Sequence, residues 1–340
     1  MFRLLLALAV LNPAFARADD VVVTTKRFEL RSEPRDNLHH FLIAWAAADH
    51  ATWPPYATAV AERETWRALL DDDDQRAWAA AVDAYAATVN RNTIFDDGLI
   101  AVRDWAAGVA RKDAVPATDR MLVNALEAAL PIYRRYWWPA HDAQNRAWIA
   151  SVAGLLPKVE NEMAPRLEAA YGGHWTAAPI AVDVVVYGNP TGAYTTGDRI
   201  TLGSADVGYR MPQALEMLFH EASHVASLEG PLGQNVDGAF KALGRKAPEN
   251  LWHDVIFFTA GTVTRIVLAE HGQPGYRHYG EFGVYRRAER WQAQLPLLEQ
   301  YWRPFLESAS ADAGARERAL KAIAEGLSPA IRQPAATEGR

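Results

Sequence analysis

Two histidines four residues apart, with a glutamate directly after the first, close the stretch Leu215-Glu216-Met217-Leu218-Phe219-His220-Glu221-Ala222-Ser223-His224. On an α-helix, residues i and i+4 lie one above the other on the same face. His220 and His224 would then present two imidazoles to one point, the spacing that suits two corners of a tetrahedral zinc site. Glu221, one step round from His220, would reach a water held at such a metal without being a ligand itself. Metal-assisted hydrolysis needs that set: a Lewis acid that lowers the pKa of water and polarises a carbonyl, and a carboxylate that takes a proton and delivers it to the leaving group. With 10 histidines in the chain, chance would place the pattern in roughly one chain in sixty of this composition. Leu215, Met217, Leu218, Phe219, Ala222, Val225 and Ala226 are apolar almost all round the helix, which predicts that it is buried. Buried histidines beside a buried glutamate need partners, and a metal would supply them.

A third ligand is expected from the second long apolar helix, Leu251 to Glu270. Glu249 and His253 share a face there. The local chemistry favours His253, because a neutral imidazole is easier to bury than a carboxylate. Glu249 then serves as a partner to an imidazole or as a first-turn carboxylate, and Asp254 is a weaker candidate. Glu216, four residues before His220, is either an acceptor for a ligand's second ring nitrogen or a solvent-facing charge; the sequence leaves both open. Gly275 to Arg286 is rich in glycine and in donors, and Tyr279 or His278 is the candidate to stabilise a developing oxyanion.

The segment resembles the active-site helix of the zincin metallopeptidases, whose signature is H-E-x-x-H with the glutamate as general base. The residues after His224 supply no nearby third histidine, so the metzincin pattern is absent. A gluzincin-like layout, with its third ligand on a downstream helix, fits better; that analogy would choose Glu249. The stretch Asn189 to Asp206 resembles the edge strand that binds substrate backbone in that group, without the acidic residue by which related aminopeptidases hold a free amino group. Gly192 to Thr196, Glu216 to His224 and Leu251 to Gly261 together resemble a set of uncharacterised bacterial exported proteins, which implies no activity. The zincin resemblance spans Val182 to Glu270 and implies a Zn2+-dependent peptidase. With the third ligand taken from local chemistry, the ligands expected are His220, His224 and His253, the base is Glu221, and Tyr279 is a further catalytic candidate. Two other functions stay open: an exported helical protein with a structural zinc, and a metal-dependent hydrolase of a non-peptide amide or ester.

The elements that must position these residues follow from pattern. Residues 1–18 read as a secretory leader, with Arg3, the apolar run Leu4 to Leu11, and small residues before a cleavage point after Ala18. The expected location is therefore periplasmic or secreted. The chain has no cysteine and a net charge of −6; losing Arg3 and Arg17 with the leader makes it −8. That excludes disulfides and thiolate chemistry, and argues against nucleic acid as a partner. No later run is long enough to predict stable membrane insertion. The expected partner is a peptide or protein substrate, and the oligomeric state is left open.

From 19 to 172 the period is helical. Asp71 to Asp74 cap a helix, Trp137-Trp138-Pro139 form an aromatic corner, and a long helix runs from Ala143 to Tyr171 with a kink at Pro157. From 173 to 328 a strand (Ile180 to Tyr187) and a hairpin (Ala193 to Leu202) precede the histidine helix, which is expected to end at Gly230-Pro231. Residues 329–340 read as a loose tail. The fold class expected is mainly α (α+β): a helical N-terminal part, then a zincin-like unit with a small sheet.

Overall fold

A computed structural model describes residues 20–50, 65–189, 192–308 and 312–327. The leader and the tail from 329 lie outside these residues. The fold is mainly α, with one mixed sheet of five strands: β1 (Val21–Thr24), β2 (Phe28–Arg31), β3 (Ile180–Val185), β4 (Tyr194–Thr196) and β5 (Arg199–Gly203), in the order β1-β2-β3-β5-β4. β2, β3 and β5 are parallel, and β1 and β4 are antiparallel at the edges. The hairpin forms where Gly197-Asp198 predicts it. The first two strands were not expected, although Val21-Val22-Val23-Thr24 is β-branched enough to have signalled one.

Between β2 and β3 run α1 (Pro34–His50), α2 (Asp72–Ala86), α3 (Asp97–Ala106), α4 (Arg120–Tyr136), α5 (Trp138–Ala153) and α6 (Leu156–Tyr171). Asp71 caps α2 by accepting from the Asp74 backbone N–H. Trp137 stacks on Trp78 with ring centroids 4.4 Å apart, so the aromatic corner is a packing joint. The long helix expected from Ala143 is two helices broken at Gly154-Leu155. Pro157 sits in the first turn of α6, where its missing N–H is harmless.

The sheet has two different buried faces. Phe28, Leu30, Val182, Val184, Ile200 and Leu202 join one apolar core with α6 and with α7 (Gln213–Ala222), α8 (Ala226–Lys241) and α9 (Leu251–Glu270). Trp148 and Ile149 of α5 belong to this core as well, while α1 to α4 build a second core around Trp45 and Trp78. The division between cores therefore falls within 19–172, not at its end. The sheet's other face is a buried polar layer, where Arg199 forks onto Asp183 and Asn37 bonds the Val184 carbonyl and the Val186 N–H.

α7 ends at Ala222, earlier than expected, and α8 runs through Gly230 and Pro231. Ser223 stops α7 by bonding its hydroxyl to the Phe219 carbonyl, and Val225 is extended. A proline inside α8 deprives the Ser227 carbonyl of its helical donor, and His174 N–H supplies one instead, at 3.2 Å. α9 is long and apolar enough to cross a membrane by composition, but 78% of its apolar window is buried inside the fold. It is a core helix.

Candidate metal centre

α7 lays its apolar side on the sheet, with Phe219 edge-on to Phe28 at 5.3 Å, and turns His220 towards α9 and Glu221 towards β4. His224 lies one residue beyond the helix's C-cap, in a tight turn whose N–H bonds the Glu221 carbonyl at 3.0 Å. The i, i+4 relation survives this tightening. His220 Nε2 and His224 Nε2 are 3.4 Å apart. His253, in the first turn of α9, completes the group: its ring is 5.4 Å from His220 and stacked 5.3 Å from His224. One ring nitrogen from each of the three lies within 4.8 Å of the others.

These residues fit a metal. Two zinc-bound nitrogens at tetrahedral angles stand about 3.3–3.4 Å apart, given Zn–N distances of about 2.0–2.1 Å. Without a cation, two neutral imidazoles facing each other through Nε2 set a lone pair against a lone pair unless one is protonated there, and His220 Nδ1 is buried with no partner. Burial, with His224 and His253 adding to it, holds His220 well below the usual histidine range. Burial also brings His253 down to about 4, so both stay neutral, as ligation requires. Burial pulls His224 down too, but the Glu229 carboxylate, 2.8 Å from its Nδ1, and the nearby Glu221 carboxylate together outweigh that and raise it. A carboxylate on the far nitrogen fixes the tautomer and leaves Nε2 facing the cluster.

Glu221 is buried beside the cluster, one carboxylate oxygen 4.0 Å from His220 Nε2. The other accepts from the Thr195 hydroxyl of β4 at 2.8 Å. Burial raises this carboxyl above its ordinary range, against the opposing pull of His224 and Thr195. Thr195 and Glu229 are the two residues that sequence reasoning missed. β4 is the sheet's edge, and its other face is pinned: Tyr194 OH lies 2.8 Å from His40 Nε2, and Arg103 bonds Thr196.

The remaining candidates fall into place differently. Glu249 is exposed in the turn before α9 and outside the cluster. Asp254 is buried and bound by Arg290. Glu216 is neither a partner of a ligand nor solvent-facing: it is buried and accepts from Tyr276 OH and from the Tyr279 N–H at 2.8 Å. His278 is buried behind α9, where Gly261 leaves room for it and for Glu216; a Cβ there would meet them at 2.9 and 3.0 Å. Tyr279 stands on the wall of the site, 6.3 Å from Phe257, whose ring is 4.9 Å from His220. Its hydroxyl makes no hydrogen bond among the described residues. No protein-family model, curated protein or solved structure matches the chain.

Proposed function

We propose that this chain is a zinc-dependent peptidase in which His220, His224 and His253 hold the metal and Glu221 is the general base. What carries the reading is the pairing of three converging imidazoles with a buried carboxylate that is not one of them. A zinc ion held by these residues would lower the pKa of a water and polarise a carbonyl. Glu221 takes the proton as the water oxygen bonds to the carbonyl carbon, and delivers it to the amine nitrogen as the C–N bond breaks. Its raised affinity for a proton suits both halves of that task.

Three protein donors among the described residues leave a fourth position open, the pattern of catalytic rather than structural zinc. A peptide rather than a small amide is favoured by β4. It is an edge strand, an extended chain can pair with it, and its Thr195 touches the base. Tyr279, on the wall, is the candidate to meet the developing oxyanion. The test is Glu221→Gln assayed on a mixed peptide pool. Zinc content should be unchanged and cleavage should fall by about 10²–10⁴-fold. Wild-type cleavage by the variant, or none by the wild type loaded with zinc, would count against the reading.

A further inference from the structure

Residues 276–291 form a wall over the cluster, and the cations on it are arranged in a way that the catalytic proposal does not use. Phe257 of α9 is the contact point. Tyr279, Tyr285 and Trp291 all approach it, at 6.3, 6.1 and 6.1 Å. Trp291 anchors the far end of the wall, and Arg290 precedes it. The Arg290 guanidinium forks onto Asp254, the residue after His253, with bonds of 2.7 and 3.0 Å from Nε and Nη2. Asp254 is fully buried while the Arg290 side chain is 40% exposed. The buried carboxylate thus fixes a guanidinium whose Nη1 makes no bond among the described residues. Arg287 lies three residues earlier, at the end of a separate short helix (Val284–Arg287), exposed and in no ion pair among the described residues.

Two acidic groups near this mouth have cationic or imidazole partners, Glu281 with Arg277 and Glu229 with His224. A planar guanidinium with spare donors suits a carboxylate.

We infer that Arg290, assisted by Arg287, recognises a free carboxylate on the substrate, and that this chain trims peptides from their carboxyl end. The inference rests on the peptidase reading. A carboxylate held beside His253 places the scissile bond at the cluster within one or two residues of the chain end, since each residue spans about 3.3–3.6 Å.

The test uses two hydroxamates of one skeleton, malonohydroxamoyl-phenylalanine as the free acid and as the carboxamide. Both are titrated into the zinc-loaded full chain by calorimetry. The hydroxamate reports the metal, and the difference between the two reports the arginines. The free acid should bind at least tenfold tighter, and Arg290→Gln should bring the ratio close to one. Because that variant strips Asp254 of its partner, Arg287→Gln, which breaks no ion pair, is measured beside it and should lower the ratio severalfold. Equal binding of the two compounds by the wild type overturns the inference and leaves the metal reading standing. A preference that survives in both variants overturns the assignment to these arginines. Failure of both compounds to bind removes the metal reading, and the inference with it.

Discussion

Glu221 owes its position to Thr195, a residue on an edge strand of the opposite layer. A carboxylate that must shuttle a proton has to be held in one rotamer, and the 2.8 Å bond from Thr195 does this while leaving the second oxygen turned towards the imidazoles. Replacing Thr195 with Val keeps the shape and removes the bond. We expect kcat/KM to fall about ten- to a hundredfold, the worth of a hydrogen bond to a charged group. Zinc content should not change, and Thr195→Ser should restore most of the loss. Equal activity in the Val and wild-type chains would show that Glu221 is oriented by something else. At this scale the sequence was legible where chemistry is local. His220, Glu221 and His224 are read from spacing, and His253 from its place in the first turn of an apolar helix. Thr195 and Glu229 were not legible. One reaches Glu221 across two elements, and the other reaches His224 through a helix break that no residue announces. Gly230-Pro231 looked like a stop, yet the carbonyl that Pro231 leaves without a donor is satisfied by the distant His174.

Glu216 joins the metal helix to the wall. It is buried, accepts two bonds from the 276–279 segment and lies against Gly261 of α9. Its carboxyl is pushed up to about 7, chiefly by burial, although both bonds pull the other way. The folded chain therefore keeps a proton between 4.5 and about 7 that the unfolded chain has lost. Stability contributed by this group is fully present below 4.5 and falls as pH rises through that window. Glu216→Gln removes the titration. Its unfolding free energy in urea should fall by less between pH 5 and pH 8 than that of the wild type, by about 1–3 kcal/mol. Parallel pH profiles would show that Glu216 is ionised in the folded chain throughout. The helix pattern foretold α9, in which Gly261 leaves a gap. It could not foretell what fills that gap, because the partners, Glu216 and His278, come from two separate segments.

Across the whole molecule, the sheet separates an apolar core that carries the metal cluster from a polar layer beneath α1. β1 and β2 lie in the sheet although 148 residues separate Arg31 from Ile180. A helical reading of 19–172 misses them because each is four residues long and β2 joins the rest of the sheet through a non-local pairing with β3. β3 was legible from its β-branched, apolar composition, the hairpin from its turn residues, and the mainly α class from the long periodic stretches. In the polar layer the Asp183–Arg199 pair bridges β3 and β5. Arg199→Leu leaves a buried carboxylate without its partner and should cost about 3–5 kcal/mol in urea unfolding, with zinc content unchanged. The double change Asp183→Leu with Arg199→Leu should recover most of it. A loss under about 1 kcal/mol for the single variant would mean that water reaches the pair.

The central claim is that three imidazoles, one on α7, one in the turn after it and one on α9, hold one metal ion, and zinc per chain by elemental mass spectrometry tests it most directly. The purified chain and its His253→Ala variant are each offered zinc and freed of the excess. About one zinc per wild-type chain, and far less in the variant, is the result predicted. No bound zinc in the wild type would contradict it and leave three histidines that merely pack together.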